Sequence, residues 1–238
     1  MTREEVLNTY DQSYAKRYNN TFLINPKPGS YTVNKTRFET VLLKRLTRRA
    51  ASWLDVACGT GYFLKHGRGS NPNIECAGLD ISPAMLGEAR CLNPDMCFIE
   101  ADFLSPQPTF IDRWELTTCM WGAYCLQETL ADVEALVGNM AKWTKPNGKC
   151  FTPVFDLTAL AARRDGGSLM EGVEFNVEES RWTFAERDGK VHRNMLAPSI
   201  PTMIEMFENS FGSAETINYP GALHPFIGII GIIARKTI

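Results

Sequence analysis

From residue 52 onward, short apolar runs alternate with stretches of helical spacing. SWLDVAC (52–58), IECAGLDI (74–81), MCFIEADF (96–103), WELTTCMW (114–121) and KCFTPVFDL (149–157) have strand length and strand composition. Between them, SPAMLGEARCL (82–92) opens with Ser-Pro helix-start chemistry, and LADVEALVGNMAKWT (130–144) has helical spacing. Strands alternating with helices predict a parallel sheet with helices on both faces.

The two ends follow other patterns. Thr2 with Glu5 forms a capping box for a helix reaching about Tyr18, and 19–32, with two prolines and a glycine, reads as loop. A second helix is expected from about Lys35 to Arg49. After the fifth strand, SRWTFAERDGKVHRNML (180–196) alternates around Asp188-Gly189, a hairpin signal. SIPTMIEMFENSFG (199–212) is an amphipathic helix. AETINYP (214–220) and FIGIIGIIARK (226–236) close the chain as two adjacent, antiparallel strands. The expected fold class is α/β: a Rossmann-like, doubly wound sheet of seven strands, mostly parallel with an antiparallel last strand. It forms one domain with a helical lid (1–50), a core (51–156), a partly β insertion (157–198) and a closing helix and strand pair (199–238).

Composition narrows the function. A net charge of −2 offers no global attraction to nucleic acid or to an anionic membrane. The basic run LLKRLTRR (42–49) lies beside the apolar Val41, Leu42, Leu43 and Leu46, as on the solvated side of a helix. No uncharged stretch approaches the ~20 residues of a membrane span, and the charged start MTREEVLNTY lacks a signal-peptide core. The seven cysteines are odd in number and contain no CxxC pair, so neither zinc nor a disulfide framework is expected. A cytoplasmic, metal-free monomer or homodimer is anticipated.

The specific signal is LDVACGTGYF (54–63), a strand running into a turn whose glycines let a ligand approach the backbone. A triphosphate loop would end in Lys-Ser/Thr, but Tyr62-Phe63 follow Gly61. A dinucleotide turn would carry a third glycine where Leu64 stands. A ligand without phosphate remains, an adenosine joined to an amino acid.

Here the sequence resembles the class I S-adenosylmethionine-dependent methyltransferases. LDVACGTG matches their first motif, with Ala57 where many members have Gly; AGLDIS (77–82), IEADFL (99–104) and WELTTCMWGAYCLQ (114–127) stand at the second, third and fourth. The turn KPNGK (145–149) and the closing strands also fit, so the resemblance covers roughly 50–156 and 199–236. It implies S-adenosylmethionine as cofactor, cradled by Asp55, Ala57, Cys58, Gly59 and Gly61. It places Asp80, beside Ile81, on the ribose hydroxyls, Asp102 on the adenine amine, and Phe103 or Met85 against a ring face. Asp55 would orient the methionine amino group. Met120 and Trp121 would pass the methionine end, and Tyr14 or Tyr18, on one helical face with Tyr10, would close from the lid.

The acceptor is the least legible part. Strand four lacks the Asn/Asp-Pro-Pro-aromatic motif of base-amine enzymes and the Pro-Cys of cytosine-C5 enzymes, and no RNA-binding domain appears. A small-molecule O or N acceptor is expected. Tyr124, Cys125, Arg181 and Trp182 are candidates to line its pocket, and Tyr124, His192 and His224 are candidate catalytic groups. The alternatives are a cyclase or carboxymethyl-donor synthase on the same fold, a protein or RNA methyltransferase, and a non-catalytic partner subunit. Methyl-labelled cofactor separates the first. In an inert subunit the glycine turn and acidic residues would be free to decay, yet Asp55, Gly59, Gly61, Asp80 and Asp102 are all present.

Overall fold

A computed structural model describes residues 1–24, 31–69, 71–158, 173–186, 190–219 and 229–237. Asp188-Gly189 and His224 lie outside these residues. Seven strands form one sheet: β1 (Ser52–Val56), β2 (Glu75–Asp80), β3 (Cys97–Glu100), β4 (Trp114–Cys119), β5 (Thr144–Phe155), β9 (Gly212–Asn218) and β10 (Ile229–Lys236). Their order is β3-β2-β1-β4-β5-β10-β9. The first five pair in parallel, and β10 runs antiparallel to both β5 and β9. Order reverses between β1 and β4, which opens a crevice at their carboxyl ends.

Alternation along the strands divides the core. Leu54, Val56, Ala77 and Leu79 face α6 (Leu130–Trp143) and α7 (Ile200–Phe211). Trp53, Cys76 and Leu116 pack with Leu43 of α3 (Tyr31–Thr47) and with Phe63 and Leu64 of α4 (Tyr62–Gly67). α5 (Pro83–Leu92) starts at Ser82, whose hydroxyl accepts from Met85 N–H.

Three boundaries differ from the sequence reading. The first helix is two, α1 (Arg3–Thr9) and α2 (Gln12–Tyr18), because the Asp11 side chain accepts from Tyr14 N–H and caps a new start. Asn19–Ile24 is a π-helix rather than loop, and α3 begins at Tyr31. β4 ends at Cys119, and the chain turns through a 3₁₀ segment, Ala123–Leu126. The insertion forms its own antiparallel sheet of β6 (Val173–Asn176), β7 (Arg181–Ala185) and β8 (Val191–Leu196). Ala185 pairs with Val191, as a hairpin centred between them requires.

Candidate active site

The glycine turn is built at the end of β1. Ala57, Gly59 and Gly61 all have positive φ (54°, 54° and 69°), so Ala57 occupies the left-handed region, where a glycine would be free of strain. A Cβ on Gly59 would stand 3.2 Å from Met85 Cε, and one on Gly61 would stand 2.7 Å from Asn93 Nδ2. The bare backbone is therefore a packing requirement. Asp80 fixes the turn from β2: one carboxylate oxygen accepts from Gly59 N–H at 2.8 Å and the other from Ser82 N–H at 2.9 Å. Burial pushes the Asp80 carboxyl up, opposed by these backbone donors.

Asp55 sits beneath the turn, fully buried. Trp53 Nε1–H donates to Thr118 Oγ1 at 2.8 Å, and Thr118 donates to Asp55 Oδ1 at 2.6 Å. Asp55 Oδ2 is buried with no hydrogen-bond partner. Burial, joined by the charge of Asp80 and opposed by the Thr118 bond, pushes Asp55 up to about 7. A buried carboxylate oxygen without a donor is costly, and a ligand cation or a water-borne donor would relieve it.

At the β4 exit, Met120 is buried, and Trp121 and Gly122 are both left-handed (φ 58° and 73°). A Cβ on Gly122 would lie 2.7 Å from the Phe155 ring, so the chain turns against the end of β5. Tyr124 is buried in the α6–α7 core, and its phenol oxygen accepts from Phe155 N–H at 2.7 Å. Through that oxygen Tyr124 ties the β4 exit to the backbone of β5. Cys125 is buried beside it. Arg181 donates to Asn194 O of β8 at 2.8 Å and to Glu128 O at 2.6 Å. It fastens the insertion to the segment that follows the β4 exit. Trp182 packs on Phe155 at 5.0 Å between ring centroids, with its Nε1 buried and unpartnered.

The N-terminal tyrosines meet the insertion at Glu186, which the sequence reading passed over. Tyr14 Oη donates to Glu186 Oε1 at 2.7 Å, and His192 Nε2 lies 2.6 Å from the same oxygen. Arg17 lies 3.3 Å from Glu186 Oε2, and Lys190 sits over the Tyr14 ring while donating to Thr9 O. Burial pushes Glu186 up, but the bonds from His192 and Tyr14 outweigh it and hold the carboxyl below its ordinary value. Tyr10 joins the two halves. Its carbonyl accepts from Ser82 Oγ at 2.7 Å, and its phenol is pushed up by burial and then by the charges of Asp80 and Glu186. Thr60, in the glycine turn, donates to Asn19 of the π-helix. Tyr18 lies 5.7 Å from Tyr14, ring to ring. Tyr10 and Glu186 carried no sequence signal beyond the tyrosine spacing and one acidic residue beside a turn.

On the far side of Asp80, Ile81 leads into α5 and Met85 is buried beneath Gly59. Asp102 Oδ1 accepts from Leu104 N–H at 2.9 Å, and Phe103 is partly buried. Ala101 N–H donates to Asp80 O, which brings the β2 and β3 ends together. Cys58 is buried under the turn, its N–H donating to Leu79 O.

A family model described as a methyltransferase domain matches residues 54–148. The chain is similar to a dTDP-3-amino-3,6-dideoxy-alpha-D-glucopyranose N,N-dimethyltransferase of Streptomyces fradiae. The two are 35% identical over 155 residues, 61% of this chain and 58% of that protein. An N-methyltransferase of Penicillium aethiopicum is 28% identical over 141 residues, 55% of this chain and 58% of that one. The chain thus spans 58% of the length of each of these two curated relatives. Among solved structures, a sugar N-methyltransferase from Streptoalloteichus sp has a TM-score of 0.65 at 18% identity, over 94% of this chain and 93% of that one. An amino pentose methyltransferase from Micromonospora echinaspora has a TM-score of 0.61 at 19% identity, over 94% and 98%. At such identities the structures speak for the fold. Residues 54–148 of this chain thus match a methyltransferase domain, and they hold the glycine turn of 57–61 and the β1–β4 switch point described above.

Proposed function

We propose that the chain is an S-adenosylmethionine-dependent methyltransferase acting on a nitrogen or oxygen atom of a small-molecule acceptor, with an amine nitrogen favoured. The observation that carries the reading is the pairing of Asp55 and Asp80 at the β1 and β2 ends around a left-handed glycine turn, Asp55 keeping one buried oxygen open. These residues fit the cofactor: backbone without side chains where it must lie close, one carboxylate for a cationic amino group and one for ribose hydroxyls, and no cationic cradle. S-Adenosylmethionine, when bound, supplies an electrophilic methyl on a sulfonium leaving group. The chain's own part is to position and to exclude water. Met120 and Trp121 border the methionine end, the Trp121 ring offering a face that favours positive charge. Tyr10 and Tyr14 cover the crevice, held by Glu186. His192 is the candidate base, oriented by Glu186. Tyr18, Asp102, Phe103 and Met85 keep the adenine-side and lid roles that the resemblance implies.

One finding favours an amine: the first two curated relatives are N-methyltransferases by name. The test is transfer of labelled methyl from S-adenosylmethionine to dTDP-3-amino-3,6-dideoxyglucose and to a panel of amines, alcohols and carboxylic acids. Labelled N-methyl product supports the reading. S-Adenosylhomocysteine failing to bind in calorimetry overturns it. A labelled product only from carboxylic acids would move the site to O-methylation.

A further inference from the structure

A second polar cluster lies on the other side of Trp121, and neither the cofactor reading nor the lid uses it. α3 runs back over the sheet against β1, because Thr47 near its end donates to Gly67 O at the close of α4. Its first turns therefore reach the carboxyl ends of the strands. There Lys35 Nζ lies 2.6 Å from Glu39 Oε1 and 4.3 Å from the centroid of the Trp121 ring. Tyr219, just past β9, donates to the same Glu39 oxygen at 2.7 Å. Lys35 is 4% exposed and Glu39 fully buried.

The cluster is incomplete. Lys35 Nζ, Glu39 Oε2, Thr36 Oγ1 and Trp121 Nε1 are buried and make no hydrogen bond among the described residues. Leaving such atoms unpaired costs about 1–3 kcal/mol apiece, more for a charged group. Unmet donors and an unmet carboxylate oxygen at one ion pair call for an occupant. Tyr219, whose ring lies 4.6 Å from that of Phe38, packs with Phe155, Phe175 and Trp182 against the buried Leu157, Ala197 and Ile229.

We propose that Glu39 is the acceptor-binding carboxylate: its open oxygen takes the N–H of an amine-bearing small molecule whose apolar or aromatic body lies against Phe155, Trp182 and Tyr219. The inference rests on the methyltransferase reading, since Trp121 places this amine next to the methionine end of the crevice. Lys35 demonstrates the chemistry, because carboxylate and indole face already hold an ammonium between them. Burial lowers the Lys35 ammonium below its ordinary value, against the pull of Glu39. Tyr219 fixes the carboxylate's rotamer and leaves Oε2 as its free acceptor.

The test measures binding, with S-adenosylhomocysteine saturating, of benzylamine, benzyl alcohol and benzoate by calorimetry. Benzylamine is expected to bind at least tenfold more tightly than the other two. Glu39→Gln should weaken it by tenfold or more, and Tyr219→Phe by about threefold, while the affinity for S-adenosylhomocysteine stays within twofold in both. Should Glu39→Gln not fold, Tyr219→Phe carries the test alone. Benzoate binding best would assign the pocket to anions through Lys35 and overturn the proposal. Equal binding of all three, or none, would leave Glu39 Oε2 to a buried water and overturn it too. Failure of S-adenosylhomocysteine to bind the unaltered protein would instead sink the methyltransferase reading beneath it.

Discussion

Asp55→Asn offers the sharpest check on how this site is assembled. The carboxyl rises from 3.8 to about 7 in the folded protein, mainly through burial. Between those two pH values the folded chain holds a proton that the unfolded chain has released. The free energy of unfolding must therefore fall as pH rises through this window and level off above about 7. At 1.36 kcal/mol per pH unit, the full penalty is about 4 kcal/mol, of which about 3 accrues between pH 5 and pH 8. Asn has nearly the shape of the protonated acid and keeps an oxygen for the Thr118 hydroxyl, but it cannot ionise. The variant should match the unaltered protein to within about 1 kcal/mol near pH 4 and exceed its stability by roughly 3 kcal/mol at pH 8. Urea unfolding at four pH values, with unchanged denaturant slopes, measures this gap; the subtraction removes groups that titrate alike in both chains. A gap that is constant within about 0.5 kcal/mol from pH 5 to 8 would show that Asp55 ionises freely and would refute the reasoning. The same logic reaches the cofactor. A cation placed beside Oδ2 favours the ionised form, so affinity for S-adenosylhomocysteine should rise as pH passes 7, and this rise should vanish in Asp55→Asn.

Three further outcomes are expected. Asp80→Ala removes a carboxylate that holds two backbone N–H groups, each such bond being worth about 1.5–3 kcal/mol, and should weaken S-adenosylhomocysteine by at least about 100-fold in calorimetry. Ala57→Gly releases left-handed strain of about 1–2 kcal/mol against a glycine entropy cost of about 0.5–1, so Tm should rise by roughly 1–3 °C in a thermal melt. Glu186, whose carboxyl is held below its ordinary 4.5, supports the lid above that pH and releases it as pH falls through the lowered value; hydrogen-exchange protection factors over Gln12–Tyr18 should fall on acidification, and Glu186→Gln should show the lowered protection at neutral pH.

Periodicity was enough to reveal the five parallel strands, the closing antiparallel pair and the glycine turn, because each depends on neighbours within a dozen residues. The split between α1 and α2 depends on a single local choice, Asp11 capping Tyr14 N–H, against a tyrosine spacing that runs straight through it. The bond from the Phe155 N–H to the Tyr124 oxygen was illegible for a different reason, since it joins the exit of one strand to the end of the next. Glu39 and Glu186 were illegible because their meaning arises from Tyr219 and Tyr14, 180 and 172 residues away along the chain. α3 showed only an amphipathic surface with a basic end. No local pattern marks a carboxylate whose partner lies on another layer.

β10 carries a consequence for synthesis. It is inserted between β5 and β9, although it is made after both. Until residues 229–236 leave the ribosome, β5 presents an unpaired parallel edge, the kind of surface on which nascent chains associate wrongly. The crevice floor from β1 to β4 can condense earlier, from contacts close in sequence. The lid cannot, since its anchor on Glu186 emerges more than 150 residues after Tyr14. A ribosome-bound intermediate of this chain would thus have an assembled floor, an open roof and one raw sheet edge, and a chaperone screening for it would find β5.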